Sequence, residues 1–301
     1  MDKRAFLAIL FAVCIWGMVP VFIRTLSVDL GPVDHLVIRY TLVCVAYLAG
    51  LAMMGGWRIE RPDWPRLLVL VVAGIGYSLA SAFGFEHVPA GIGSLIIGTE
   101  PLLIAILGTV IAQEKLSPRA IMGLAVAFAG TTLLVWNDLG MTGGGKSFLR
   151  GCLLVFLSAL AFAVYVVASK PLIRKYGSYS IAALSTLLAS AVLLILLARP
   201  PTLATVAAMT PRNWFDMAYV VILSTFLCSI AWNYAASRLP AATSGAFLYF
   251  IPVIGVVAGA AILGETITLA MLAGGALILL GVAIVQLSPR MRGTQLELPG
   301  K

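Results

Sequence analysis

Residues 88–131 read VPAGIGSLIIGTEPLLIAILGTVIAQEKLSPRAIMGLAVAFAGT, and residues 239–282 read LPAATSGAFLYFIPVIGVVAGAAILGETITLAMLAGGALILLGV. Laid over one another at a constant offset of 151, they need no gap. Pro89 meets Pro240, Ala90 meets Ala241, Pro101 meets Pro252 and Gly108 meets Gly259; Glu114, Gly123 and Gly130 meet Glu265, Gly274 and Gly281. Proline and glycine fix backbone geometry, and a carboxylate in apolar sequence is costly. Agreement at those positions therefore marks a duplication. The same offset sets Ser78 against Ser229.

Working outward, every segment around the repeat is apolar. Of the 301 residues, 61% are hydrophobic and only 11% charged, with a mean hydropathy of +1.05. A soluble domain of this length needs more charge to cover its surface. A bilayer core needs about 20 apolar residues per helix. Such runs fall at 5–26, 33–55, 67–85, 90–112 and 118–136, then at 150–169, 179–198, 214–236, 241–263 and 267–287. The expected fold is an all-α membrane protein of ten transmembrane helices. Residues 1–137 form one five-helix repeat, 138–147 a Gly-rich linker, 148–288 the second repeat and 289–301 a tail.

An odd number of spans per repeat inverts the second half relative to the first, an arrangement common among secondary transporters. With the N-terminus inside, 14 of the Lys and Arg residues fall on the cytoplasmic side and 6 outside. The positive-inside rule thus predicts both termini in the cytoplasm. The net charge of +8 reports this orientation and not a nucleic-acid partner. Trp57, Trp64, Trp136 and Trp214 sit at expected helix ends, where interfacial tryptophans belong.

Candidate site residues come from the polar groups inside the spans. Glu100 falls near the midplane, where an acidic residue costs roughly 2.5–3.5 kcal/mol to insert. It suits either proton exchange or a substrate ammonium. Pro101 and Pro252 are expected as central kinks that free the carbonyls of Ile97 and Leu248 towards a cavity. Helix three presents Tyr77, Ser81 and Phe85 at i, i+4 and i+8, with Ser78 beside them. Helix eight presents Ser229, Asn233 and Ser237 at the same spacing, with Trp232 alongside. Both stripes combine hydroxyl or amide groups with aromatic surface, as a small-solute pocket needs, although such groups also hydrogen-bond helices together. Trp16, Tyr165 and Tyr249 are further aromatic candidates within the membrane. Glu114 and Glu265, next to short loops, read as caps or interhelical contacts, and the Gly255/Gly259 pair as a packing face.

Other chemistries lack support. Cys14, Cys44, Cys152 and Cys228 lie within apolar runs without metal-ligand spacing, so no metal and no cofactor is expected. Residues Gly140 to Ser147 match GxxxxGK[ST], but that pattern binds phosphate only between a strand and a helix, so no nucleotide is expected either. A clustered acid/base site, as an intramembrane enzyme requires, and a charged ring or filter, as a channel requires, are not visible.

Ile15-Trp16-Gly17, the stretch from Pro101 to Glu114, and its copy from Pro252 through Gly264-Glu265-Thr266 resemble the drug/metabolite transporter superfamily. They are most similar to its ten-helix branch with two EamA domains. The resemblance covers almost the whole chain and implies a transporter, not an enzyme, in the cell inner membrane. It further implies a small-molecule substrate, with amino acid export the nearest activity and drug-like or other metabolites the alternative.

Overall fold

The computed structural model describes residues 3–54, 59–111, 118–141, 145–236, 238, 247–248 and 250–286. All regular structure among them is helical. Helix α1 spans Lys3–Asp29, α2 Pro32–Met54, α3 Trp64–Phe85, α4 Ala90–Ile97, α5 Glu100–Ile111 and α6 Pro118–Met141. In the second half α7 spans Gly145–Tyr176, α8 Ser178–Leu197, α9 Pro201–Ala208, α10 Pro211–Ala218, α11 Cys228–Ala236, α12 Phe250–Leu263 and α13 Leu269–Gln286. A π-helical stretch, Tyr219–Leu227, joins α10 to α11. Among the described residues, five helical segments are long and apolar enough to cross a membrane: Lys3–Asp29, Arg61–Phe85, Ala90–Gly108, Gly145–Tyr176 and Ser180–Leu197. Shorter apolar helices cover Ile121–Leu133, Phe250–Leu263 and Leu269–Ile284.

Helix boundaries follow the punctuation of the sequence. Proline opens α2, α6, α9 and α10, where its missing N–H costs nothing. Thr210 and Asn213 form a reciprocal capping box ahead of α10. Gly177, at φ 85°, turns the chain between α7 and α8. Gly264, at φ 67°, ends α12, and its N–H donates back to Ala260 O at 3.1 Å.

That turn aims Glu265 across the molecule. Its carboxylate accepts the N–H groups of Ala90 (2.6 Å) and Gly91 (2.8 Å), capping the first turn of α4. Arg24 Nε lies 3.5 Å from it, while Arg24 Nη1 donates to the carbonyls of Phe85 (3.0 Å) and Val88 (2.7 Å). The interhelical contact expected of Glu265 is thus made between the halves. With charged hydrogen bonds worth about 1.5–3 kcal/mol, Glu265→Ala should lower the unfolding midpoint in detergent clearly, whereas Glu86→Ala, half-exposed beside His87, should not. Equal midpoints for both variants would refute that role.

The duplication reappears as reciprocal contacts. A Cβ built on Gly130 of α6 would meet Gly274 O of α13 at 2.6 Å. A Cβ built on Gly281 of α13 would meet Gly123 O of α6 at 2.5 Å. Gly130 and Gly281 are mates at the offset of 151, and so are Gly123 and Gly274. Each glycine therefore touches the mate of the residue that touches its own mate, as two-fold symmetry requires. The end of the first helix in each half is held by an aspartate of the other half, though not at the exact offset, since Asp216 meets Pro65 and not Asp63 at 151. Thr25 donates to Asp216 (2.7 Å), and Tyr176, 151 residues later, donates to Asp63 (2.6 Å).

Trp64, Trp136 and Trp214 stand 49%, 77% and 43% exposed, as membrane-interface anchors do. Trp57 lies outside the described residues. Gly255 lies against Ser94 and Gly259 against Gly91 N, so this pair packs α12 onto α4 within one chain. The phosphate-loop octad joins α6 to α7, with no strand before it; Thr142 to Gly144 lie outside the described residues.

Candidate functional site

The site begins where the fourth span breaks. Two central kinks are expected at Pro101 and Pro252, yet the chain does not bend through Pro101. Helix α4 stops at Ile97, Gly98 and Thr99 form a break, and α5 restarts at Glu100. Thr99 Oγ1 donates to Ile96 O at 2.7 Å, and Thr99 O accepts from the N–H groups of Leu102 and Leu103. Pro101 thus occupies the first turn of a new helix, where proline is favoured, instead of distorting the middle of an old one. Pro252 also stands in a first turn, that of α12, and its ring covers Gly98. The break sets Glu100 at a helix N-terminus, whose positive end favours a carboxylate.

Hydrogen bonds between tyrosine and serine side chains link α2 to α3 and α7 to α8. Tyr77 of α3 lies in the electrostatic field of Glu100, Arg39 and Tyr40. Its ring packs on Phe162 of α7, with centroids 5.6 Å apart. Tyr40 and Ser78 share a hydrogen bond. Ser78 spends its own proton on Gly74 O at 2.8 Å, so the Tyr40 hydroxyl is the donor. Tyr165 of α7 meets Ser185 of α8 at 3.0 Å and feels Tyr40. Ser185 donates to Ile181 O at 2.7 Å, so here too the tyrosine donates. Arg39 lies over the Tyr40 ring, 5.8 Å from its centroid.

A second group lies between α1 and α11. The Trp16 and Trp232 rings are 5.4 Å apart, and Trp16 Nε1 donates to Ser224 O at 3.1 Å. Ser224 belongs to the π-helical stretch, a form that recurs at functional sites. Tyr219, in the same stretch, donates to Ile15 O at 3.0 Å.

Of the residues expected from sequence, Ser78 and Tyr165 are therefore hydrogen-bonded to Tyr40 and Ser185, Tyr77 packs on Phe162 and Trp16 pairs with Trp232. Ser81 is buried close by on α3, with no hydrogen-bond partner for its hydroxyl among the described residues. Phe85 is wholly buried, its ring pressed against Gly93 in the core. Ser229 and Asn233 lie on α11, but their side chains, Ser237 and all of Tyr249 are outside the described residues. Arg39, Tyr40 and Ser185 are not among the candidates drawn from sequence. Arg39 reads as an outer-face charge when assigned to its nearest helix end. Its signal is a full charge seven residues inside an apolar run, where ionisable residues mark functional sites.

Comparison with known proteins gives the family. The EamA-like transporter family matches residues 3–136 and again residues 149–287. The chain belongs to the EamA-like transporter family. It is thus a multi-pass membrane transporter built from two EamA domains, and not an enzyme. Among its relatives, a protein of Streptantibioticus cattleyicolor described as a "probable terminal-alkyne amino-acid exporter" is 27% identical over 99% of both chains. A "probable amino-acid metabolite efflux pump" of Salmonella typhimurium is 25% identical over 97% of both. An "uncharacterized transporter" of Archaeoglobus fulgidus is 25% identical over 94% of this chain and 98% of its own. A solved crystal structure covers 100% of both chains with a TM-score of 0.62 at 22% identity, a likeness of fold.

Proposed function

We propose that this EamA transporter exports small metabolites, amino acids foremost, across the cell inner membrane by alternating access. Glu100 carries the reading. It is an ionisable group at a mid-span helix break, and Tyr77 of α3 lies within its electrostatic reach. Broken helices whose ends face a buried site are how secondary transporters bind solutes in the bilayer. The names of the Streptantibioticus and Salmonella relatives favour amino acids.

The same reading takes the chain as ten spans in two inverted halves, divided as 1–137 and 148–288 around a Gly-rich linker, with both termini cytoplasmic. The excess of 14 basic residues over 6 supports that orientation, and the reciprocal glycine contacts support the two-fold relation. Tyr77, Ser78, Ser81, Glu100 and Tyr165 line the solute path, and Trp16 and Trp232 flank it with Ser229, Asn233 and Tyr249. Pro101 and Pro252 keep the helix starts rigid while the halves rock.

Counterflow in proteoliposomes tests this. Vesicles preloaded with a panel of unlabelled amino acids should take up radiolabelled ones saturably. Linear uptake at every concentration would replace the carrier with a pore.

A further inference from the structure

Arg39 lies over the Tyr40 ring, but no ion pair among the described residues accounts for its place. Arginine inside a membrane span is rare, and where it occurs it pairs with a carboxylate or a carbonyl. The ion pairs of this chain engage Arg24, Arg199 and Arg212, but not Arg39, among the described residues. Its Nε atom is buried and makes no hydrogen bond among the described residues, a costly state for a charged donor. The Ser81 hydroxyl, on the helix that carries Tyr77, is buried and unpartnered in the same way.

Arg39 lies within roughly 5 Å of the depth of Glu100, and Ser81 about two turns closer to the helix ends. The C-terminal end of α1 is tied to that of α3 through Arg24, and the first turn of α4 is tied to both through Glu265. Asp34, at the start of α2, accepts from Thr202 and Thr205. Counting inward at ~1.5 Å per residue, Arg39 lies roughly 10 Å into α2, Tyr77 roughly 12 Å into α3, and Glu100 roughly 15 Å along α4 and α5. Tyr77 stands in the field of both charges. No ion pair joins Arg39 to Glu100, so neither group is satisfied by the other.

We propose that Arg39 is the carboxylate-binding pole of the transport site, set opposite Glu100 as the ammonium pole, with Ser81 as a further donor. The site therefore selects the zwitterionic head of an α-amino acid. The planar guanidinium forks onto a carboxylate with two parallel hydrogen bonds, which an ammonium side chain does not reproduce. This assignment rests on the transport reading above and adds the feature of the substrate that is recognised.

The test compares leucine, leucinamide and 4-methylpentanoate as counterflow substrates, the last two lacking the carboxylate and the ammonium respectively. Wild-type protein should exchange leucine at least tenfold better than either. Arg39→Met should lower leucine exchange tenfold or more and leave leucinamide within twofold; Arg39→Lys should fall between. If Arg39→Met lowers leucine and leucinamide alike, Arg39 is structural and the proposal fails. It fails equally if leucine exchange survives. If wild-type protein exchanges other metabolites and no amino acid, the amino-acid reading falls by itself. The Arg39 assignment is then decided on the exchanged metabolites. Arg39→Met must spare those without a carboxylate and cripple those with one, and any other pattern overturns it.

Discussion

Gly130→Leu is expected to abolish folded, monodisperse protein, and Gly281→Leu should do the same. Both positions lie on the seam between α6 and α13, where backbone faces backbone. A Cβ at Gly130 would sit 2.6 Å from Gly274 O, 2.8 Å from Leu277 Cβ and 2.9 Å from Ile278 N. Two of those three atoms belong to the main chain, so no rotamer change makes room. Overpacking a tight interior costs about 1–3 kcal/mol even for small additions, and leucine adds three carbons beyond Cβ. Without a strong hydrophobic force between helices in lipid, close approach of small residues is what holds such a seam. Phe128→Leu, at a lipid-facing position 69% exposed, serves as the control and should behave as wild type. Size-exclusion profiles of fluorescently tagged variants read the outcome. Normal profiles for both leucine variants would mean that the seam tolerates separation.

Glu100→Gln should lower exchange of amino acids at least a hundredfold and remove any response to an imposed pH gradient. Glutamine keeps the shape and the first-turn position at α5 but cannot carry charge. A loss of two powers of ten corresponds to about 2.7 kcal/mol. That is the scale expected when a buried charge-assisted hydrogen bond to a substrate is removed. Folding should survive, because the amide adds no volume and can still face the N–H groups of the turn. Counterflow and gradient-driven uptake in the same proteoliposomes separate the two consequences. Unchanged exchange at every pH would reduce Glu100 to a structural acid.

Much of this molecule is legible in its sequence because the bilayer leaves few options. Runs of apolar residues become helices, since every backbone polar group must be satisfied within its own segment. The repeat is readable because Pro, Gly and Glu hold positions that backbone geometry dictates. Glu265 shows this well: a glycine turn at Gly264 and a carboxylate after it read as a cap, and the structure supplies Ala90 and Gly91 as the groups capped. Pro101 was harder to interpret. Sequence places a proline at mid-span, but whether the helix bends through it or ends ahead of it depends on Gly98 and Thr99 and on the Pro252 ring lying against Gly98. Arg39 was hardest. Its signal in three dimensions is a buried, unpartnered Nε, whereas a count of basic residues by loop registers only its charge. Phe85 illustrates the converse. A stripe at i, i+4 and i+8 does not say where a pocket gives way to core, and Gly93 opposite Phe85 makes that position core.

The self-complementary seam of α6 and α13 has one more consequence. Contacts of this kind are those that two identical chains make in a homodimer, where every substitution necessarily appears twice. Covalent fusion lifts that constraint. Glu100 faces Ile251 at the repeat offset, so the carboxylate occupies one arm only. An unfused pair could not hold a carboxylate on one side alone; it would carry two, and two like charges near one path repel. Joining the halves end to end is thus what allows a symmetric frame to enclose a site with a single negative pole.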